Sequence, residues 1–267
     1  MRTTALASLL AAAPVAAPAF GDPPAEARLL AGWESAPGAR VAGLEIALDP
    51  GWKTYWRSPG EAGIPPAFDW SGSENVAEVA VEWPAPLLFD SFGFATLGYA
   101  DRVVLPLRVT SADPAAPARL ALTLDYAVCA EICVPARAEL TLDLAPGAPE
   151  AGRAAIVAAR ARLPVGAAEA GVAEAACALR GAGAERAVSA EIVFETAPPE
   201  TPYLVIEGPD GVWVGPPETR MAGRSLTAEA TAMLSDPAAW VARDAFDLTL
   251  IGRGWAAELP GCAVPRG

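Results

Sequence analysis

Segment after segment of this chain alternates apolar and polar residues at every second position, and nearly every such run ends at proline or glycine. RVAGLEIALD (40–49), VAEVAVEWP (76–84), RVVLPLRVT (102–110), ARLALTLDYAV (118–128) and AELTLDLAP (138–146) all read this way. A period of two sends successive side chains to opposite faces of an extended strand, so each run buries one face and wets the other. Runs that recur about every eight to twelve residues, divided by turn residues, predict an all-β sandwich rather than alternating strands and helices. Val103, Leu105, Leu107 and Val109 are assigned to the core, and Leu120, Leu122, Leu124 and Tyr126 to the inward face of their strand. Pro59-Gly60 in SPGEAGIPP marks a tight turn.

The pattern changes at APGAPEAGRAAIVAARARLP. Pro146 to Pro149 reads as a linker, and residues 150–162 suit a short helix that Pro164 ends. Alternation then resumes in AVSAEIVFE (187–195), PYLVIEG (202–208), GVWVG (211–215), SLTAEATAML (225–234) and AFDLTLIG (245–252), with Asp210-Gly211 predicting a hairpin turn between two of them. The expected organisation is a first β domain over 20–146, a linker with a short helix over 147–164, and a second β domain, sandwich-like, over 165–267.

Residues 1–19 read as a secretory signal: one basic residue, a small-residue apolar stretch, and Ala17-Pro18-Ala19 before a cleavage point near Phe20. The mature chain is therefore expected to be exported and not to span a membrane. With 32 acidic against 19 basic residues, it lacks the basic footprint that binding a nucleic acid requires. It contains no histidine, which removes imidazole triads and His-ligated metals. No cofactor is called for.

Four cysteines remain to be placed. In LDYAVCAEICVPARAEL (124–140), Cys129 and Cys133 flank a plausible chain reversal, and three readings stay open: an inert local disulfide, a thiolate metal site, or a redox couple. Cys177 and Cys262 lie near the two ends of the second domain and are expected to clamp it. Loop-closure entropy separates the pairs, since a loop of about 5 residues is worth roughly 2 kcal/mol and one of about 86 residues roughly 4.5 kcal/mol. The long bridge makes sense as a staple; the short one gains little from stability alone.

GWKTYWRSPGEAGIPPAFDW (51–70), FDSFGFATLGYADRVVLPLRV (89–109) and the cysteine segment, in that order, resemble the N-terminal periplasmic domain of the thiol:disulfide interchange protein DsbD, especially its suppressor-of-copper-sensitivity form. The likeness spans roughly residues 35–146. It implies an immunoglobulin-like β-sandwich in the periplasm whose cysteine pair takes reducing equivalents from a membrane-embedded reductase and passes them to periplasmic thiol/disulfide proteins. By resemblance, Cys133 is the cysteine that exchanges with the partner and Cys129 its resolving mate. Phe92 matches the family's shielding phenylalanine, and Asp90 an acidic residue of the same loop. Trp52, Tyr55 and Trp56 are assigned to packing. The family's best-known members place five residues between their cysteines, where this chain has three, and continue into membrane and thioredoxin-like domains; here a separate reductase is expected. The rival readings are a copper(I)-binding protein using the two thiolates, and a non-catalytic interaction or scaffold module with structural disulfides.

Overall fold

The computed structural model describes residues 23–91, 93–145 and 150–264. The first half consists of β1 (Ala25–Ala36), β2 (Ala39–Leu48), β3 (Lys53–Tyr55), β4 (Ala67–Asp69), β5 (Val76–Val81), β6 (Leu87–Ser91), β7 (Phe94–Ala100), β8 (Arg102–Ser111), β9 (Ala118–Cys129) and β10 (Cys133–Leu144). One sheet runs β1-β2-β8-β5; the other runs β10-β9-β3-β7-β6, with β4 also on β9. Packed face to face, they form the expected immunoglobulin-like sandwich. The alternation explains it. Leu120, Leu122, Leu124 and Tyr126 of β9 share one core with Leu44 and Ile46 of β2 and Leu105 and Leu107 of β8. Each such leucine contributes about 1.5–3 kcal/mol by leaving water.

Helix α1 (Arg153–Arg160) follows and lies on the outer face of the first sheet. Its Ile156 and Ala159 pack against Leu30, Val41 and Val104. Gly43 in the middle of β2 marks the closest approach, because a Cβ there would sit 2.9 Å from Ile156 Cγ1. A side chain at that point would push the helix away.

The second half contains β11 (Val165–Gly166), β12 (Val172–Arg180), β13 (Glu185–Phe194), β14 (Tyr203–Glu207), β15 (Val212–Val214), β16 (Glu218–Ala222), β17 (Ser225–Leu234), β18 (Asp247–Gly252), β19 (Trp255–Leu259) and β20 (Ala263–Val264). Its sheets run β11-β19-β18-β14 and β15-β17-β13-β12-β20, with β16 on β17. Ile192, Leu226, Phe246, Leu248 and Leu250 fill the space between them. Cys177 on β12 is bonded to Cys262, just before β20, inside this core.

The Asp210-Gly211 turn forms, with Gly211 at φ 79°, but it does not make a hairpin. β14 pairs with β18 and β15 with β17, so the turn carries the chain from one sheet to the other. Alternation states which face of a strand is buried; it does not state which strand lies beside it.

The two halves touch directly. Val205, Ile251 and Ala256 of the second sandwich pack into the core cluster of the first. Arg57, just past β3, bonds Glu207 through Nε and Nη2, both at 2.9 Å, and Glu258 at 2.8 Å. Burial pulls the Arg57 pKa down, but the two carboxylates outweigh it and the net movement is upward. Among the described residues no helix is long and apolar enough to cross a membrane.

Candidate functional site

Strands β9 and β10 pair in unbroken register from Ala118↔Leu144 to Cys129↔Cys133. The turn Ala130–Ile132 joins them, closed by the Ala130 N–H donating to the Ile132 carbonyl at 2.9 Å. The two cysteines are thus directly opposed on the last rung, with Cα atoms 4.1 Å apart, and are bonded to each other. Even-numbered residues of both strands enter the sandwich core, so the odd-numbered cysteines stand on the outer face of the sheet. Their exposure differs sharply. Cys129 is 1% exposed, whereas Cys133 is open to solvent.

Strand β3 supplies the neighbours on that face. Lys53 is the register partner of Cys129, and Tyr55, two residues on, forms a small buried cluster with Ala127 and Cys129. The Tyr55 hydroxyl lies 3.6 Å from Cys133 Sγ and donates to the Ala62 carbonyl at 3.3 Å. Burial pushes its phenol pKa up, so it is a protonated donor at neutral pH. Two features hold β3 in place: Thr54 Oγ1 donates to the Ala127 carbonyl at 2.9 Å, and Gly98 lets β7 close in. A Cβ on Gly98 would fall 2.1 Å from the Thr54 carbonyl oxygen.

The β6–β7 hairpin reaches the same place. Lys53 Nζ donates to Ser91 Oγ at 2.5 Å, and that hydroxyl is 2.6 Å from Thr96 Oγ1. The ammonium also stands 4.9 Å from the Phe89 ring centre. Burial lowers the Lys53 pKa, and Asp90 opposes that shift. Asp90 itself is exposed on this hairpin, where its Oδ1 accepts from the Gly93 N–H at 2.9 Å. Phe92 lies outside the described residues. Trp52, Lys53, Phe89, Cys129, Glu131 and Ile132 line an open groove of about 820 Å³ beside the disulfide.

The segments that meet here also carry large exposed apolar side chains: Ile132 in the cysteine turn, Leu87 and Phe94 on the hairpin, and Ile64 on the loop that Tyr55 grips. Apolar side chains exposed beside a disulfide suit a protein partner. Among the described residues no three or more Cys, Asp or Glu side chains gather as metal ligands would, so a copper(I) site here would rest on two thiolates.

The sequence marked both cysteines at the chain reversal that joins β9 and β10, but it put Asp90 on a loop, whereas Asp90 lies in strand β6, paired with Ala95. It assigned Tyr55 to packing and passed over Lys53 and Phe89. The signal available was the two-residue spacing of Lys53 and Tyr55 in GWKTYW, which puts both on one face of a strand. That this strand lies against Cys129 is a long-range pairing.

Residues 25–145 match the family described as Thiol:disulfide interchange protein DsbD, N-terminal. That segment is therefore a domain of the DsbD N-terminal type. The whole chain is similar to the crystal structure of the N-terminal periplasmic domain of ScsB from Proteus mirabilis, at 27% identity and a TM-score of 0.67, covering 91% of this chain and 94% of that one. The likeness thus extends through the second sandwich. No curated protein matches the chain at a significant level.

Proposed function

We propose that this chain, with its DsbD-type first half, is a periplasmic thiol–disulfide relay working through Cys129 and Cys133. The carrying observation is the unequal exposure of two bonded cysteines on an outer sheet face. A partner thiolate attacks Cys133 Sγ, the accessible sulfur. The Cys129–Cys133 bond breaks and its electron pair leaves on Cys129 as a thiolate, while a mixed disulfide joins Cys133 to the partner. The partner's second thiolate then displaces Cys133, leaving the protein as a dithiol and the donor oxidised. Run in reverse against an oxidised periplasmic protein, the same steps deliver the two electrons.

Donor and acceptor fit different chemical roles: a membrane-embedded reductase as the source, and exported thiol/disulfide proteins as the recipients. Both meet the apolar side chains of Ile64, Leu87, Phe94 and Ile132. The second sandwich, clamped by its own buried disulfide, holds the first in place through Arg57. Phe92, matched by resemblance to a shielding phenylalanine, keeps that role here.

Cysteine trapping tests the reading. Cys129→Ala leaves the exposed Cys133 without its resolving mate and is expected to accumulate mixed disulfides with exported thiol proteins on non-reducing gels; Cys133→Ala is expected to give few. Absence of adducts from both variants, together with a wild-type bond that a thioredoxin-like dithiol cannot reduce, would leave only an inert local disulfide. Retention of Cu(I) by the reduced protein against a strong chelator, lost in Cys133→Ser, would instead favour metal binding.

A further inference from the structure

Resting on the exchange chemistry above, we infer that Lys53 is the electrostatic partner of Cys129, stabilising the thiolate that forms when Cys133 is attacked. The relay step deposits negative charge on the wrong sulfur for water to help. Cys129 is 1% exposed and packed with Tyr55 and Ala127, and a charge created in such surroundings is costly unless an opposite charge is at hand.

Lys53 is that charge. As the direct register partner of Cys129 on an adjacent antiparallel strand, it projects from the same face with Cβ atoms about 5 Å apart. Among the described residues that line the groove beside the disulfide, it is the one cation. The other charged or titratable groups facing this point are Tyr55 on β3, Asp90 on β6, Asp101 after β7 and Glu131 in the cysteine turn. None is positive, and the three carboxylates disfavour a thiolate, so Lys53 alone offsets them. Its ammonium is held by two side chains of β6, Ser91 Oγ and the Phe89 ring, and Phe89 lines the same groove as Cys129.

Lys53 acts on the departure of Cys129 in three balanced events: the partner sulfur bonds to Cys133, the disulfide opens, and the electron pair stays on Cys129 as a thiolate whose charge the ammonium offsets without giving up its proton. The same charge lowers the pKa of Cys129 in the reduced protein, readying it to close the bond again when Cys133 is in a mixed disulfide.

The test separates Lys53 from the relay as a whole. In Cys133→Ala, with Cys177–Cys262 still bonded, the thiolate absorbance of Cys129 is titrated with Lys53, with Lys53→Met and with Lys53→Arg. Lys53→Met is expected to raise the Cys129 midpoint by about 1 pH unit, a tenfold loss of thiolate at neutral pH, and Lys53→Arg to restore most of it. In the intact pair, reduction of Cys129–Cys133 by dithiothreitol is expected to slow about threefold in Lys53→Met, following the poorer leaving group. An unchanged Cys129 midpoint in Lys53→Met overturns the inference even if the trapping experiment supports the relay. A shifted midpoint with no trapped partners upholds the pairing and sinks the relay instead.

Discussion

Removing the two disulfides one at a time should have very different consequences, because they close very different loops. The sequence separation is 4 for Cys129–Cys133 and 85 for Cys177–Cys262. Chain-entropy arithmetic gives about 2 kcal/mol for the first and about 4.5 kcal/mol for the second. Position widens the gap. Cys177 and Cys262 are part of the second core, 9% and 4% exposed, so their loss also takes packing, whereas Cys129 and Cys133 stand outside the first core on the last rung of a hairpin that eleven further register pairs hold together. With an m-value of about 2 kcal/mol/M in urea, Cys177→Ala/Cys262→Ala should lower the unfolding midpoint by about 2 M or more, and Cys129→Ala/Cys133→Ala by at most about 1 M. Tryptophan fluorescence and far-ultraviolet circular dichroism in urea supply the measurement. Equal midpoints, or a larger loss from the short pair, would refute the division into one structural and one exchangeable bond.

Three further outcomes are expected. Burial raises the pKa of Tyr55, Tyr99, Tyr126 and Tyr203, which are all four tyrosines of the chain, so phenolate absorbance of the native protein should stay low near pH 10, where the unfolded chain titrates. Raised folded values mean that this stabilisation is complete below about pH 10 and is lost as pH climbs towards the folded pKa values; a native titration indistinguishable from the unfolded one would contradict it. Gly98→Ala forces a Cβ to within 2.1 Å of the Thr54 carbonyl oxygen and should destabilise by about 3 kcal/mol while also disturbing the Tyr55–Cys133 contact, seen as altered Cys133 alkylation; a fully stable variant would count against the β3–β7 pairing. Arg57→Ala leaves Glu207 and Glu258 facing each other without their cation and should lower stability by about 2 kcal/mol, less than a fully buried pair because the side chains are 27%, 20% and 41% exposed. Arg57→Lys should recover little of it, since the two-pronged contact to Glu207 needs a guanidinium.

The parts of this structure that were legible in the sequence are those a strand decides alone. Leu120, Leu122, Leu124 and Tyr126 alternate, and they face inward as expected; Ile156 sits at the middle of the short helix predicted from its alanine-rich surroundings. The pairing of Cys129 with Cys133 also follows from a local reversal. What escaped is what depends on neighbours distant in sequence. Tyr55 looked like one more aromatic for the core, and only the placement of β3 beside β9 turns it towards Cys133. Lys53 carries no signature of its role until Cys129, 76 positions later in the chain, is set opposite it. Asp210-Gly211 has the composition of a hairpin turn, yet its flanking strands found partners in separate sheets. In each case the local chemistry was read correctly and the partner was supplied by topology.

The ladder between β9 and β10 makes the number of residues between the cysteines an address. Three intervening residues place the pair on the Cys129↔Cys133 rung, outside the sandwich; the next rung down, Val128↔Val134, has five between its members and turns its side chains inward. A pair with five-residue spacing on this same hairpin would therefore be sealed within the hydrocarbon interior and closed to any partner. For such spacing to stay accessible, the turn itself has to grow by two residues. Cysteine spacing and turn length are thus free to change together but not separately, and neither change asks anything of the leucines beneath.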